Sequence, residues 1–378
     1  MSALPQSARI GELSRSAPVR LGIIGAGRFA ESHLEAFRRD GLADVVALCR
    51  RDPEALATAR ERWGVPRGFT DYRELLALDE VDAVSIVTPT DSHFRIAMDA
   101  IEAGKHVLCE KPLTLRAAES RVLLQAAERQ GVVHAVNFNL RGRTSVGSLG
   151  RYLDEGFVGE LYHLNIWWGM SLQHDVRPEI GSWRYRPETG GGTIYELAHV
   201  FDFVRFLGGE VKRICTLAST SERRRPFRDA PDGLPVDVPD SCAHLLELET
   251  GATGVIHTSF VSRGLDGSGR SEPRVEVSGS RGRIVTVDGC RLQGVSGSQG
   301  PLRELDTGPA YPQPYEQFVR AIAGGERVRT SFREGCRAAE LVEASNLSVA
   351  EQRWVRIEEI GAGQDRPGGA GVVHGGIE

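Results

Sequence analysis

Lysine is nearly absent from this 378-residue sequence, which has 46 lysines and arginines together but only the three lysines Lys105, Lys111 and Lys212. Arginine is a rigid fork that stays charged, whereas lysine is a compact charge whose pKa can shift. Since arginine occupies nearly every other cationic position, the remaining lysines are candidates for positions where arginine cannot serve. The motif around Lys111 favours that interpretation, and chance survival is sufficient for Lys212.

The sequence also lacks the features of metalloproteins, membrane proteins and nucleic-acid-binding proteins. Its six cysteines include no C-x-x-C pair, so we expect reduced thiols and no metal site. The net charge of −5 provides no basic surplus for a phosphate backbone. No stretch approaches the roughly 20 apolar residues of a membrane span, and the first residues lack the apolar core of a signal peptide. We therefore expect a cytoplasmic protein with neither a nucleic-acid nor a membrane partner.

From residue 20 the sequence alternates between short apolar runs and amphipathic segments, which predicts a parallel sheet covered by helices on both faces. The predicted strands are 21–24, 45–48, 83–87, 106–108 and 132–136, and the predicted helices are 30–39, 53–63, 93–103 and 115–130. We interpret 20–140 as one domain of the α/β class. The preceding residues 1–19 are expected to be a disordered tail.

After about residue 140 the pattern predicts a second α/β domain, 141–360, with a mostly antiparallel sheet. Turn residues at short spacing, such as Thr250-Gly251 and Gly279-Ser280-Arg281-Gly282, indicate hairpins. The predicted strands are 161–168, 243–248, 254–260, 275–278 and 284–287, and the predicted helices are 145–155, one beginning near residue 192, 314–323 and 335–351. Residues 221–239 are predicted to form a long surface loop, and the Gly-rich residues 361–378 a second disordered tail.

The first motif that points to a function is Gly25-Ala26-Gly27-Arg28-Phe29-Ala30, which follows a predicted strand and opens a helix. In a G-x-G-x-x-A turn the first glycine, Gly25, makes the tight bend, and the second, Gly27, lets the backbone approach a pyrophosphate. The phosphates then lie against free N–H groups at the helix N-terminus. In this setting the motif predicts a dinucleotide site formed by Gly25, Gly27, Arg28 and Phe29.

The end of the next predicted strand bears on which dinucleotide binds. An NAD-binding domain has a carboxylate here for the ribose hydroxyls, but this sequence has Arg50 and Arg51, followed by Asp52. Two arginines suit the additional phosphate of NADP. The alternative is that both arginines are solvated and that Asp52 reaches the ribose of NAD. We therefore expect NADP or NAD, with NADP favoured.

Two further motifs follow predicted strands at the edge where open α/β sheets bind ligands. The first is Thr88-Pro89-Thr90-Asp91-Ser92-His93, and the second, A-G-K-H-V-L-C-E-K-P-L, covers 103–113. With the later G-G-G…H-x-x-D pattern of 190–202, they resemble the glucose–fructose oxidoreductase / inositol dehydrogenase / rhizopine-catabolism (Gfo/Idh/MocA) family. The resemblance runs from about residue 20 to residue 357.

The resemblance implies a Rossmann domain followed by a domain with an open, mostly antiparallel sheet. Members commonly bury the outer face of that sheet in a homodimer or homotetramer. They transfer hydride between NAD(P) and a hydroxyl carbon of a sugar, cyclitol or sugar nucleotide. We therefore expect an oxidoreductase that acts on a small carbohydrate or cyclitol.

The resemblance also implies roles for individual residues. Lys111 matches the family's active-site lysine, which would hydrogen-bond the reacting oxygen, and Pro112 matches its usual cis proline. His199 matches the histidine proposed as general acid/base, since an imidazole titrates near working pH; the alternative is a satisfied core histidine. Cofactor contacts are expected from the strand-end residues, and Asn137 or Asn139 could face the nicotinamide. The complete strand-end set is Thr88, Pro89, His93, Glu110, Lys111 and Asn139.

The sequence departs from the family pattern four residues before His199, where many members have an aspartate and this chain has Tyr195. Its neighbour Glu196 is three residues before His199, which is also a shared helix face. Tyr195 or Glu196 could orient the histidine, and Glu196 could instead bind a substrate hydroxyl or amine. The alternative for Tyr195 is a packing aromatic.

Candidates on the substrate side combine aromatic faces with hydrogen-bonding groups, a mixture that suits sugars. They are His174, Trp183 and Asp202. The alternative is a loop and strand that pack on the sheet. Several acids of the same region would suit an aminated ring, and they are Asp175, Glu179, Glu188 and Glu196.

Three functions compete at this point. The favoured one is an NAD(P)-dependent dehydrogenase or reductase of a sugar, cyclitol or sugar-derived ring. The second is a glycosidase that uses tightly held NAD for transient oxidation and elimination, which predicts no net redox change. The third is a non-catalytic dinucleotide sensor, but a sensor needs neither Lys111 nor His199.

Overall fold

The structure, a computed structural model, describes 18–362 apart from a set of short gaps. The gaps are 40, 42, 172–181, 197, 228–229, 263–272, 298, 309–310 and 325–326. The two tails predicted to be disordered therefore lie almost wholly outside the described residues. So do the predicted substrate residue His174 and the side chain of Trp183, together with Asp175 and Glu179 of the acidic set.

The first half of the chain forms a parallel sheet, as predicted, with six strands where five were predicted. Its strands are β1 (Val19–Ile24), β2 (Ala43–Cys49), β3 (Arg67–Phe69), β4 (Ala83–Ile86), β5 (His106–Cys109) and β6 (His134–Val136). They are arranged in the order β3-β2-β1-β4-β5-β6. This is the Rossmann order, and its direction reverses between β1 and β4, where such sheets bind a dinucleotide.

Five helices connect these strands. They are α1 (Ala30–Arg39), α2 (Pro53–Trp63), α3 (Tyr72–Leu76), α4 (His93–Glu102) and α5 (Ala117–Gln130). The predicted bounds of α1 and α2 are confirmed to the residue. α2 has strong local signals at both ends, because Asp52 caps its first turn and Gly64 ends it in the left-handed conformation.

The second half forms a nine-stranded sheet with helices packed on one face. Its strands are β7 (Leu161–Gly169), β8 (Val211–Ser219), β11 (Ser241–Leu248), β12 (Thr253–Ser259), β13 (Arg274–Gly279), β14 (Gly282–Thr286), β15 (Leu292–Ser296), β16 (Arg303–Leu305) and β17 (Val355–Arg356). The spatial order is β16-β15-β14-β13-β7-β12-β11-β8-β17. The β7–β12 pair is parallel and the other pairs are antiparallel, so the prediction of a mostly antiparallel sheet is confirmed.

The prediction of a long surface loop over 221–239 is wrong. This segment contains a separate two-stranded hairpin, made of β9 (Arg224–Phe227) and β10 (Ala230–Pro235). Phe227 is buried and packs on Tyr185, with their ring centroids 5.0 Å apart. The Arg, Asp and Pro residues of the segment hid the hairpin because they are unusual in strands.

The helices of the second half are α6 (Thr144–Asp154), α7 (Thr193–Glu196), α8 (His199–Gly208), α9 (Pro314–Ile322), α10 (Phe332–Glu351) and α11 (Ile357–Ala362). Between residues 18 and 362, outside the gaps, no helix is long and apolar enough to cross a membrane. α8 and α10 cover the inner face of the large sheet, where Ile214, Leu246 and Ile256 are buried. On the outer face the side chains of Leu217, Leu245 and Val255 are 76%, 49% and 45% exposed.

Helix α9 belongs to the first sheet in space although it lies far along the chain. It contacts α1, β5 and β6, and Tyr315, Phe318 and Val319 join the same apolar cluster as Leu21 and Ile23. The backbone N–H of Val136 also donates to the carbonyl of Thr330 at 2.7 Å. The sequence analysis placed this segment in the second domain, whereas in space it packs on the Rossmann sheet.

Candidate active site

The glycine turn after β1 has the shape that a dinucleotide requires. Gly25 has a φ of 99°, and a Cβ there would lie 2.6 Å from the carbonyl oxygen of Val87, so only glycine fits. A Cβ on Gly27 would meet nothing closer than 3.9 Å, so its outer side is open to a phosphate. Phe29 is 41% exposed beside this opening, and Arg28 is exposed.

At the end of β2 the structure brings a guanidinium to the same turn. Nη1 of Arg50 donates to the carbonyl oxygen of Ala26 at 2.9 Å, and Arg51 is exposed. Oδ1 of Asp52 accepts from the backbone N–H groups of Glu54 and Ala55, both at 3.1 Å. Asp52 is therefore engaged as a helix cap, which counts against the alternative that it binds a ribose.

His93 lies behind the ligand edge rather than on it, so the prediction that it contacts the cofactor is not supported. It is buried, and its two ring nitrogens are 2.9 Å from the carbonyl of Pro112 and 2.8 Å from that of Thr88. Burial lowers the pKa of His93. The ring therefore ties the loop after β4 to the loop after β5. Thr88 and Pro89 are half-buried on the first of these loops.

Lys111 follows β5 and points at the second half of the chain. The Lys111–Pro112 peptide bond is cis, as the resemblance implied. Nζ of Lys111 donates to the backbone carbonyl of Glu196 at 3.0 Å and lies 3.6 Å from Oε2 of the same residue. Lys111 and Glu196 therefore form one mostly buried pair across the two halves.

Glu196 is fixed in this pair by Arg184, whose Nη1 lies 2.5 Å from Oε2. Burial opposes the charge of Glu196, but the two cations outweigh it and lower the pKa of the carboxyl. The glycine run places Arg184, because the N–H of Gly192 donates to the carbonyl of Arg184 at 2.9 Å. A Cβ on Gly191 would lie 2.4 Å from that same carbonyl oxygen.

Tyr195 points away from this pair, which counts against the suggestion that it orients His199. It packs on the core of the second half and hydrogen-bonds the side chain of Asn346 on α10. Burial raises the pKa of its phenol. Tyr195 is thus a packing aromatic, and Glu196 is the member of the two that reaches the site.

His199 opens α8 close to Lys111. Its ring lies between Phe138 and Trp168, with ring centroids 6.0 and 6.2 Å away. Nδ1 is buried and has no hydrogen-bond partner among the described residues. Burial, and then the charges of Lys111 and Arg143, lower the pKa of His199 well below 6.5. The imidazole is therefore neutral at neutral pH and can accept a proton.

Asp202 does not face the substrate side, which counts against its predicted role. Its carboxylate accepts from Nε and Nη2 of Arg141, both at 2.6 Å, and it is 1% exposed. Burial disfavours the charge of Arg141, but Asp202 outweighs it and raises the pKa of the guanidinium. This buried pair anchors the segment after β6 to α8, three residues from His199.

Glu110 is buried beneath the site, where it contacts protein groups, and its predicted contact with a cofactor stays a prediction. Its Oε1 accepts from Nε2 of His33 at 2.9 Å and from Nδ2 of Asn137 at 2.5 Å, and its Oε2 accepts from the N–H of Lys111 at 3.2 Å. Burial opposes ionisation, but these partners lower the pKa of Glu110 to about 2. The carboxylate therefore fixes the backbone at Lys111.

The network continues to Tyr315, whose hydroxyl lies 2.7 Å from Nδ2 of Asn137 and also hydrogen-bonds Asn139. Sequence reasoning missed His33 and Tyr315, because neither belongs to a motif that names its partner. Asn139 itself faces a cavity of 390 Å³ between α1, α9 and the segment after β6. Among the described residues no group of His, Cys, Asp or Glu side chains could hold a metal ion.

Comparison with known proteins agrees with this geometry. Residues 19–138 match the family model "Oxidoreductase family, NAD-binding Rossmann fold", and residues 148–285 match "GFO/IDH/MocA C-terminal domain". Levoglucosan dehydrogenase of Pseudarthrobacter phenanthrenivorans is 27% identical over 91% of this chain and 99% of its own. Myo-inositol 2-dehydrogenase of Thermotoga maritima is 28% identical over 90% of this chain and 99% of its own.

A solved structure of levoglucosan dehydrogenase in complex with NADH and L-sorbose superposes with a TM-score of 0.81. It is 28% identical, and the match covers 91% of this chain and 100% of that one. The two family models together span most of the chain, in the order of the two sheets. The chain therefore belongs to the Gfo/Idh/MocA family of NAD-binding oxidoreductases.

Proposed function

We propose that the protein transfers hydride between a nicotinamide dinucleotide and a ring hydroxyl or ketone of a sugar or cyclitol. The observation that carries the proposal is the meeting of Lys111, Glu196 and a neutral His199 at the carboxyl end of the Rossmann sheet. The relatives named above are dehydrogenases of an anhydrosugar and of a cyclitol, which supports this substrate class.

Each of the three residues has a distinct task in this proposal. A bound nicotinamide supplies the site that accepts or donates hydride. Lys111 donates a hydrogen bond to the reacting oxygen, and its charge stabilises negative charge that develops there. His199 takes the hydroxyl proton during oxidation and returns it during reduction. Glu196 holds the ammonium of Lys111 in place.

The charges favour a neutral polyol ring over an aminated one. Of the four acids that could bind an aminated ring, the structure describes Glu188 and Glu196. Glu196 is buried and faces the two cations Lys111 and Arg184. Glu188 is exposed. A substrate ammonium would have to displace one of these cations, so we propose that hydroxyl groups are the recognised feature.

Absorbance of dihydronicotinamide over time tests this function. The panel comprises monosaccharides, anhydrosugars, inositols, amino sugars and sugar nucleotides, each with NAD and with NADP. We expect a rise with at least one neutral sugar or cyclitol. Hydrolysis of a glycoside without net redox change, by protein that retains bound dinucleotide, would identify the redox-elimination glycosidase instead.

The orienting role of Glu196 gives a prediction that separates it from its neighbour. Glu196→Gln removes the charge that faces Lys111, so we expect kcat to fall about tenfold or more. Tyr195→Phe keeps the packing ring, so we expect kcat to change less than threefold. Steady-state kinetics on the two variants checks this. A larger loss for Tyr195→Phe would contradict the assignment.

We also propose that NADP is preferred, because Arg50 and Arg51 flank the turn while Asp52 serves as a cap. Arg51→Ala should weaken NADP binding about 10-fold or more, the value of one charge-assisted hydrogen bond, and leave NAD binding nearly unchanged. Isothermal titration of both dinucleotides measures this. The matched control is Arg62→Ala, because Arg62 is an exposed arginine of α2 that pairs with Glu31 of α1. Tighter binding of NAD than of NADP by the unaltered protein would refute the preference.

We propose that the outer face of the large sheet packs against a second copy of the chain, which gives a homodimer or homotetramer. Leu217, Leu245 and Val255 lie on neighbouring strands of this face and are strongly exposed, which is unfavourable for a monomer. Leu217→Glu should reduce the mass measured by light scattering to that of a smaller assembly. Val122→Glu, at a 44% exposed position on α5, should not. A monomeric unaltered protein would exclude the proposal.

A further inference from the structure

We infer that the side-chain oxygen of Asn137 binds the carboxamide group of the nicotinamide ring, and that Glu110 and Tyr315 hold the amide of Asn137 in the orientation this contact needs. The inference deepens the proposed function and rests on nicotinamide as the cofactor. It assigns a cofactor contact to a residue that follows β6, outside the glycine turn and the two strand-end motifs.

The orientation of the Asn137 amide is fixed by the charge of its neighbour. Nδ2 lies 2.5 Å from Oε1 of Glu110 and 2.7 Å from the hydroxyl of Tyr315. Glu110 is ionised, and an ionised carboxylate only accepts hydrogen bonds. The atom of Asn137 that faces it must therefore be the –NH₂ group, since a carbonyl oxygen there would be repelled.

The hydroxyl of Tyr315 accepts a hydrogen bond from the second N–H of this amide, and the Tyr315 ring is held in place. Its ring packs edge-on against His33 and Phe37, with centroids 4.9 and 5.6 Å away. The hydroxyl therefore cannot move far without disturbing two buried rings. With both N–H groups directed at Glu110 and Tyr315, the carbonyl oxygen of Asn137 has to point elsewhere.

That oxygen, Oδ1, is buried and has no hydrogen-bond partner among the described residues. Asn137 as a whole is 0% exposed. A buried acceptor left unpaired costs about 1–3 kcal/mol, so native proteins supply it with a partner from protein, water or ligand. No described residue supplies the N–H or O–H donor that this oxygen needs, and a bound ligand could supply it.

The position of Asn137 indicates which donor this is. Its backbone N–H donates to the carbonyl of Cys109 at 2.8 Å, which places it beside the end of β5, where Lys111 follows. The next residue, Phe138, contacts the ring of His199. Under the proposed function, a nicotinamide that exchanges hydride with a substrate held by Lys111 and His199 would lie near this point, and its carboxamide –NH₂ is a donor of the required kind.

A cofactor analogue tests the contact without turnover. In the 3-acetylpyridine analogue of the dinucleotide a methyl group replaces the carboxamide –NH₂, so the donor is lost and the carbonyl is kept. Dissociation constants for the oxidised nicotinamide and acetylpyridine forms are measured by quenching of tryptophan fluorescence in the absence of substrate. We expect the unaltered protein to bind the nicotinamide form about 3- to 10-fold more tightly, the value of one hydrogen bond.

Variants then assign this difference to Asn137. Asn137→Ala should abolish it, and Tyr315→Phe, which keeps the packing ring, should reduce it. Asn346→Ala, which removes an amide that hydrogen-bonds the packing residue Tyr195, is the matched control and should preserve it. Equal binding of both forms by the unaltered protein, or loss of the difference in Asn346→Ala, would overturn the inference.

The binding measurement also separates this inference from the proposed function. Protein that discriminates the two dinucleotides but turns over no sugar or cyclitol would refute the substrate class and leave the Asn137 contact standing. Where Asn137→Ala fails to show a cooperative thermal transition, the comparison in the unaltered protein and in Tyr315→Phe decides the question.

Discussion

Lys111→Met is expected to abolish measurable turnover, with a fall in kcat on the order of 10⁴-fold, while dinucleotide binding stays nearly intact. The ammonium of Lys111 would both donate to the reacting oxygen and stabilise its charge, and losses from the two effects multiply. Methionine has a similar length and no charge, so the fold around Glu196 is preserved. Arg184 remains to pair with the carboxylate. Steady-state kinetics measures kcat, and titration with the dinucleotide measures cofactor binding.

Lys212→Met provides the matched control for this variant. Lys212 lies on β8, where Nζ pairs with Glu247 at 2.7 Å. It should retain full activity, because exposed ion pairs contribute little. Unchanged turnover in Lys111→Met would remove this residue from the mechanism.

His199→Gln is expected to lower kcat by about 10² to 10³-fold, because glutamine cannot accept the proton that leaves the hydroxyl. The pH dependence of the oxidation rate tests the protonation state of His199 more directly. Burial, Lys111 and Arg143 lower the pKa of His199 well below 6.5, so the active neutral imidazole persists as pH falls through 6.5. The rate of oxidation should therefore hold at pH 6.5 and decline only in more acidic solution, where the ring becomes protonated.

The profile of kcat/KM against pH checks this assignment, since it reports the groups of the free enzyme. The acidic decline should be absent from the residual activity of His199→Gln. His163→Gln, at an exposed histidine on the outer sheet face, is the control and should keep both rate and profile. A midpoint at or above pH 6.5 in the unaltered protein would contradict the buried, cation-flanked environment of His199.

Much of the Rossmann half was predictable because its signals are local. The glycine motif opens α1, and Asp52-Pro53 begins α2, so both helices were located to the residue. β3, β16 and β17 were missed because two or three residues carry no measurable periodicity. β15 has an alternating burial pattern but contains a glycine and the polar residues Gln293 and Ser296, which weakened its signal.

The proposed catalytic residues Lys111 and His199 were named from the sequence, but the choice between Tyr195 and Glu196 as their neighbour stayed open. Helical spacing favoured Tyr195 and Glu196 equally, on the assumption of one continuous helix through His199. In the structure α7 ends at Glu196 and α8 begins at His199, so that spacing does not apply. The directions of the Tyr195 and Glu196 side chains are therefore set by their tertiary contacts. Glu196 thus faces Lys111 and Tyr195 faces Asn346.

The hydrogen-bond network under Lys111 could not be predicted from the sequence, although Glu110 and Asn137 were each named as candidate cofactor contacts. Glu110 and Tyr315 are more than 200 residues apart, and the link between them passes through Asn137. No local pattern distinguishes Tyr315 from the other aromatic residues of an amphipathic helix. Its role emerges only when α9 is packed against the first sheet.

The position of α9 also has a consequence for how the chain acquires its fold during synthesis. Tyr315, Phe318 and Val319 complete the apolar cluster that Leu21 and Ile23 begin, so this cluster stays open until the segment has left the ribosome. Translation proceeds at about 5–20 residues per second, so the first strands wait on the order of 15 to 60 seconds for their final cover. The nascent chain therefore exposes the apolar surface of this cluster during that time. A fragment ending at residue 140 should be poorly soluble when expressed alone.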